Sequence, residues 1–287
     1  MRRRKWLAIY LAALAGSGAV RWFGSPLKPP GEMRVAMLRR IRLAYRDSEP
    51  ESKDGTPVIL VHGSPGSSEI FAKLTKLLAP HFRVIAPDLP GFGYSTRGVP
   101  DYSFRTHGQY LIELLDALHL RKAHLVGFSM GGGVVLSMAD LAPDHAASIV
   151  MLSAIGAQEY ELLGSYRANH IVHGAQLAAL WTLREGLPHF GLLDRLPLNV
   201  EYARNFYDSD QRPLRSILMR YAGPMLILHG SGDPLVPVAA ARTHHRLVPQ
   251  SELRVVNGDH FLVFERPETL IQPLETFLRR VNVSAPR

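Results

Sequence analysis

Residues 123–141 read AHLVGFSMGGGVVLSMADL. Ala123–Phe128 is a short apolar run, as a strand buried on both faces requires, and Gly131–Leu141 reads as a helix. Between them Gly127-Phe128-Ser129-Met130-Gly131 spells G-x-S-x-G, and a strand before it with a helix after it is the context that gives this motif meaning. A serine on a tight strand-to-helix turn holds its hydroxyl clear of the sheet edge. The helix behind it turns its first N–H groups toward developing negative charge. Glycines at both ends leave room for the turn against neighbouring chain.

Further buried strands are expected at Pro57–His62 and Phe82–Pro87, and strands at Ser148–Ser153, Pro224–His229 and Leu253–Val256. Arg34–Arg46 alternates in places and also reads as strand. Helical spacing marks Ser67–Leu78 and a helix from a Ser103 cap through His119, and Pro267 starts the final helix. Strand alternating with helix implies an α/β fold, a mostly parallel sheet covered by helices on both faces.

A serine hydroxyl needs a base, and the base needs an orienting acid. His260 follows the last strand and Asp233 follows the strand before it, so both lie on the sheet edge that carries Ser129. The chain order Ser129, Asp233, His260 is the order this arrangement takes. For the oxyanion, the N–H after the nucleophile belongs to Met130. The turn His62-Gly63-Ser64-Pro65-Gly66 supplies the second donor; Pro65 has no N–H, which leaves Ser64 as the best candidate. His62 is expected to hold that turn, His229 to be a packed histidine and Asp259 a turn residue. His244-His245, adjacent on a helix, cannot present both rings on one face. No metal and no cofactor are expected.

Gly156–Gly223 breaks the rhythm: 68 residues with no clear strand, helical pieces at Ala175–Arg184 and Asn199–Tyr207, and many aromatic and histidine side chains. Its place between two sheet strands suggests an inserted helical cap. An aromatic lid over a serine suits a small or moderately apolar acyl substrate.

Of the formal +8 charge, residues 1–46 hold eleven Lys/Arg against Glu32 alone and carry +10, while the remainder carries −2. A near-neutral body argues against nucleic acid as a partner. There is no cysteine, which removes disulfides, thiolate metal sites and cysteine nucleophiles. Arg2, Arg3, Arg4 and Lys5 precede an apolar run from Trp6 to Val20 that Arg21 closes, the plan of a signal-anchor or signal peptide. The expectation is an uncleaved anchor holding the body on the periplasmic face of a bacterial inner membrane. Cleavage near Ala13-Leu14-Ala15 or Ser17-Gly18-Ala19, giving a secreted or periplasmic enzyme, and a plain soluble helix are the alternatives. Pro26, Pro29, Pro30 and Gly31 form a stiff linker. The expected organisation is therefore residues 1–33 as arm and linker, 34–155 with 224–282 as core, and 156–223 as cap. Oligomeric state is open.

The segments HGSPGS (62–67), APDLPGFGYS (86–95), GFSMGGG (127–133), HGSGDPLVP (229–237) and GDHFLVFERPE (258–268) together resemble the α/β-hydrolase superfamily over Arg34–Arg280. The resemblance implies Ser129 as nucleophile, His260 as base, Asp233 as acid, Ser64 and Met130 as oxyanion donors, and a cap at 156–223. The S-M-G-G form resembles esterases, thioesterases and carbon–carbon bond hydrolases, and HGSPG is one residue from the corresponding turn of proline iminopeptidases. An ester-type hydrolase of the carboxylesterase or lipase kind (EC 3.1.1) is the leading expectation. A proline iminopeptidase-like aminopeptidase, with Glu159, Glu161 or Glu185 holding the substrate amine, a carbon–carbon bond hydrolase, and a non-catalytic binding module are the rivals.

Overall fold

A computed structural model describes residues 2–23, 27–48 and 55–284; Pro26 of the expected linker lies outside them. The chain runs α1 (Arg2–Phe23), β1 (Met33–Met37), β2 (Arg42–Asp47), β3 (Val58–Val61), α2 (Ala72–Leu78), β4 (Val84–Pro87), α3 (Phe104–Ala117), β5 (Ala123–Phe128), α4 (Gly131–Leu141) and β6 (Ala146–Leu152). It continues with α5 (Tyr166–Gly186), α6 (Val200–Asp208), α7 (Arg212–Arg220), β7 (Met225–Gly230), α8 (Val238–Leu247), β8 (Glu252–Val256), α9 (Leu262–Glu265) and α10 (Glu268–Ser284).

The eight strands form one sheet in the order β1-β2-β4-β3-β5-β6-β7-β8, with β3 to β8 parallel and β1 and β2 antiparallel. The continuous apolar runs have a direct cause. Side chains alternate across a strand, and both faces are covered. Ile59, Val61, Leu125, Ile149 and Ile227 join one core with Leu111 of α3, Val134 of α4 and Ala241 of α8. Val58, Leu60, Val126, Val150 and Leu228 join the other with Leu74 of α2 and Leu270 and Leu274 of α10.

Three expectations change. Arg34–Arg46 is not one strand but the antiparallel hairpin β1–β2, turned at Leu38–Ile41 by a Leu38 N–H to Ile41 carbonyl bond of 2.9 Å. The helix read at Ala175–Arg184 is the C-terminal half of the 21-residue α5. Helix α7 lies inside the stretch assigned to the cap, yet its Leu214, Ile217 and Leu218 belong to the first core.

The aromatic and histidine side chains of α5 and α6 bind these two helices to each other. His170 stacks on Tyr207 at 4.2 Å and on Tyr166 at 5.3 Å, and His173 stacks on Phe206 at 5.3 Å. Helix α6 is tied to the core by His107 Nε2 with Asn205 Oδ1 (3.1 Å) and by the Tyr102 N–H donating to Asp208 (3.0 Å).

Candidate active site

The sheet register assembles the site. In the parallel β3–β5 pair Val61 lies opposite Gly127, so the turns that follow the two strands emerge side by side. A Cβ on Gly63 would stand 2.8 Å from Ser129 Cβ and 3.2 Å from its Oγ. Ser129 has φ of 53°, the left-handed region that costs a residue with a side chain. The turn is held there by the Ser129 N–H donating to Leu152 O (3.1 Å), and by the Ser129 carbonyl accepting from Gly132 N (3.0 Å) and Ile155 N (3.1 Å). A Cβ on Gly127 would meet the Gly131 carbonyl oxygen at 2.5 Å, and one on Gly131 would meet His62 O at 2.9 Å. Both glycines are therefore required by close backbone approach.

Strands β7 and β8 deliver the other two groups. Gly230 is opposite Val256, and beyond them the loops are joined by Ser231 N–H to Val256 O (2.8 Å) and Gly232 N–H to Gly258 O (2.9 Å). His260 Nδ1 meets Asp233 Oδ2 at 2.7 Å, with both residues buried. The other carboxylate oxygen, Oδ1, accepts the N–H groups of Leu235 (2.9 Å) and Val236 (2.8 Å). Burial alone pushes this carboxyl up, but the His260 bond and the two loop N–H groups outweigh it and hold Asp233 below the usual carboxylate range. Because Asp233 is ionised, the proton between the pair resides on Nδ1, which leaves Nε2 free to accept. The Phe128 ring, next in chain to Ser129, lies 4.9 Å from the His260 ring.

Met130 is the N-cap residue just before α4 and is 2 % exposed. Among the described residues, neither the Met130 N–H nor the Ser64 N–H donates to another protein group. His62 is buried. Its Nε2 accepts from Leu89 N (3.0 Å), so Nδ1 carries the proton and donates to Gly63 O at 2.7 Å. It fastens the Gly63–Ser64 turn to the loop after β4, as expected of a residue holding the turn. His229 donates from Nε2 to Val236 O (2.8 Å), and burial lowers its pKa, so it is a packed neutral ring. Asp259 accepts the Phe261 N–H at 2.8 Å as a turn residue.

Sequence reasoning passed over Asp88. It is 1 % exposed, accepts Ser68 N (2.7 Å) and Tyr94 N (2.8 Å), and its carboxylate occupies the place a Gly93 side chain would need. A carboxylate at a strand end followed by Pro90-Gly91 and by Gly93 was the available signal. A cavity of about 460 Å³ opens between α5, α6 and the Gly98–Tyr102 loop, lined by Tyr102, Trp181, Arg184, Glu201 and Tyr207. None of Ser129, Asp233 and His260 lines it. Among the described residues no group of three or more His, Asp or Glu side chains could hold a metal ion.

Sheet order, elbow and the Asp–His pair define an α/β protein whose candidate site lies at the C-terminal ends of parallel strands. The model of the alpha/beta hydrolase fold family matches residues 56–171 and 178–267, and the chain belongs to that family. It is 32% identical over 289 aligned positions to the dihydrolipoyllysine-residue acetyltransferase component of the acetoin cleaving system of Pseudomonas putida, covering 94% of this chain and 74% of that one. It is 27% identical to 2-hydroxymuconate semialdehyde hydrolase of the same organism, covering 83% of this chain and 92% of the relative. The crystal structure of a bacterial membrane phospholipase A superposes with a TM-score of 0.70 at 21% identity, over 99% of this chain and 100% of that one.

Proposed function

We propose that this protein is a serine hydrolase that cleaves an ester-type bond of a small or moderately apolar substrate through an acyl-enzyme. The observation that carries the reading is the 2.7 Å Asp233–His260 bond, its imidazole 4.9 Å from the ring of Phe128, the residue before a serine held at positive φ. In this mechanism His260 Nε2 takes the Ser129 proton as Oγ attacks the acyl carbonyl, then gives it to the leaving group. The Asp233 carboxylate stabilises the imidazolium that forms between those steps. The N–H groups of Met130 and Ser64 receive the oxyanion, each contributing roughly 10²–10³ in rate. Water, deprotonated by His260, then releases the acyl group and restores Ser129.

The name of the phospholipase relative agrees with an ester, and that of the semialdehyde hydrolase keeps carbon–carbon cleavage as the second reading. The aminopeptidase reading draws less support from its proposed amine site. Glu159 pairs with Arg215 (2.8 Å), Glu161 with His173 (3.3 Å), and Glu185 with Arg21 (2.8 Å) and Arg184 (2.8 Å), so each carboxylate already faces a basic group. The same proposal places the enzyme at a membrane through α1, the body on the periplasmic side. Residues Arg3–Phe23 are long and apolar enough for a bilayer, with mean hydropathy 1.3.

The test is labelling with a fluorophosphonate probe, followed by turnover of p-nitrophenyl esters of graded chain length beside a proline anilide. The wild type should label and hydrolyse esters, and Ser129→Ala should do neither while keeping its fold. Full turnover by Ser129→Ala would sink the assignment, and a sharp preference for the anilide would replace the substrate class.

A further inference from the structure

Helix α1 does not stand away from the body. The polar side chains Tyr10, Ser17 and Arg21 are seven and four residues apart, so they share one stripe. Each of them meets the edge of the cap. The Tyr10 hydroxyl donates to the Gly186 carbonyl. Ser17, 1 % exposed, accepts the N–H groups of His189 (3.0 Å) and Phe190 (2.9 Å) on its single hydroxyl oxygen. Arg21 grips Glu185 with two bonds (2.8 and 3.1 Å) and reaches Asp194 at 3.2 Å. Between Trp6 and Val20 the rest of the helix surface is uncharged and largely exposed, with Trp6 69 % exposed and Leu7, Ile9 and Leu11 more than half exposed.

The cap edge under this stripe is just as apolar. Leu187, Phe190, Leu192, Leu196 and Leu198 are all exposed within twelve residues, and a Cβ on Gly16 would meet the Phe190 ring at 3.8 Å. Helix and cap edge thus present exposed apolar side chains on neighbouring segments, with Arg195 exposed among them. Exposed apolar surface of this kind marks an interaction site, and a lipid bilayer is the occupant that fits. The patch continues a helix with membrane-spanning composition, and Arg3, Arg4 and Lys5 adjoin it to meet anionic head groups.

Length decides how the face sits. At 1.5 Å per residue α1 is about 31 Å long, barely the ~30 Å hydrocarbon core. The contacts from Tyr10 to Arg21 occupy about 16 Å of it. If α1 crossed the bilayer while docked, Arg184, Glu185 and Asp194 would be carried into hydrocarbon, where charge is expensive. If it crossed undocked, two cap N–H groups and Arg21 would lose their partners.

We propose that α1 stays docked through the Tyr10–Ser17–Arg21 stripe and lies along one leaflet, with the Leu187–Leu198 edge of the cap seated beside it in the lipid interface. This rests on the reading that α1 enters a membrane and replaces its mode, from spanning anchor to an in-plane helix shared with the cap. Arg184, which lines the cavity between α5 and α6, lies at this same edge, so that cavity opens close to the lipid.

The absence of cysteine makes the test clean. Leu192→Cys, carrying an environment-sensitive fluorophore, is added in the full chain to preformed vesicles of phosphatidylethanolamine and phosphatidylglycerol, with Val255→Cys on the far sheet edge as control. Seated to a depth of about 5–10 Å, the Leu192 probe should shift to the blue and lose about half its emission to nitroxide-bearing lipid, while the control stays in water. Lys5→Cys should react with an impermeant maleimide from the outside. Ser17→Val with Arg21→Leu removes the stripe, and it should return the Leu192 probe to water and protect the Lys5 position. Fluorophosphonate labelling of Ser129 reports that this variant is folded.

A vesicle-bound wild type whose Leu192 probe stays in water would overturn the inference and leave membrane binding intact. So would a doubly substituted chain that is still quenched like the wild type. No vesicle binding at all would remove the membrane reading and this inference together. Shielding of the probe without vesicles, growing with protein concentration, would name a second copy of the chain as occupant instead.

Discussion

Replacing Asp233 by asparagine tests the site through a single atom. The carboxylate oxygen Oδ1 accepts two N–H groups, from Leu235 at 2.9 Å and Val236 at 2.8 Å, and Oδ2 meets His260 at 2.7 Å. An asparagine must turn its carbonyl oxygen to the two donors, because the reverse orientation sets its amide against both. The NH₂ group then faces His260 Nδ1. That nitrogen is forced to accept, so the proton moves to Nε2, which can no longer receive the serine proton. The imidazolium formed during attack also loses its counter-charge. At 2.7 Å and an effective dielectric near 20 that attraction is about 6 kcal/mol, or about four decades of rate at 1.36 kcal/mol each. The fold should lose only about 1–2 kcal/mol, since the two loop bonds survive. Turnover of a p-nitrophenyl ester at pH 7, with circular dichroism to confirm the fold, measures both. We expect kcat lower by roughly 10⁴ with KM little changed. A folded Asp233→Asn enzyme within tenfold of the wild-type kcat would refute the role assigned to the pair.

Gly131→Ala should destabilise the fold by about 3 kcal/mol, because the new methyl meets the carbonyl oxygens of Val61 and His62, which no rotamer change can move. Gly18→Ala, with nothing within 4 Å, is the control, and urea denaturation midpoints compare them. Stability should also fall as pH drops from 6.5 toward 4. Burial lowers His107 and His124 to about 4 and His244 to about 3. The unfolded chain therefore binds protons through this window while the folded chain does not, so the penalty is absent above pH 6.5 and grows below it. For His107 it reaches on the order of 3 kcal/mol. Thermal midpoints across this range should show the decline, and His244→Leu should make it shallower; a flat profile would contradict these burial assignments.

The residues closest to the chemistry were legible because they are governed by local rules. Gly127–Gly131 announces a turn that only glycines at its ends permit, and the apolar runs at Val58–Val61 and Met225–Gly230 announce strands covered on both faces. Asp233 and His260 could be placed together because strand ends in a parallel sheet share an edge. Arg34–Arg46 misled because a hairpin of two short strands shows the same alternation as one long strand. Asp88 was missed because its partners are backbone N–H groups, which no sequence pattern displays.

The sequence by itself determined the sheet, the elbow, the Ser–Asp–His order and the oily N-terminal run, each through periodicity or backbone sterics acting over a few residues. Only the tertiary structure decided that α7 completes the core and that the cap's histidines and aromatics are spent joining α5 to α6. It alone decided that Tyr10, Ser17 and Arg21 dock on residues more than 160 positions away. An apolar run with three polar residues on one stripe states that those residues want partners. Which partners they find depends on the path of the chain between them, and that path is settled by packing of the whole molecule.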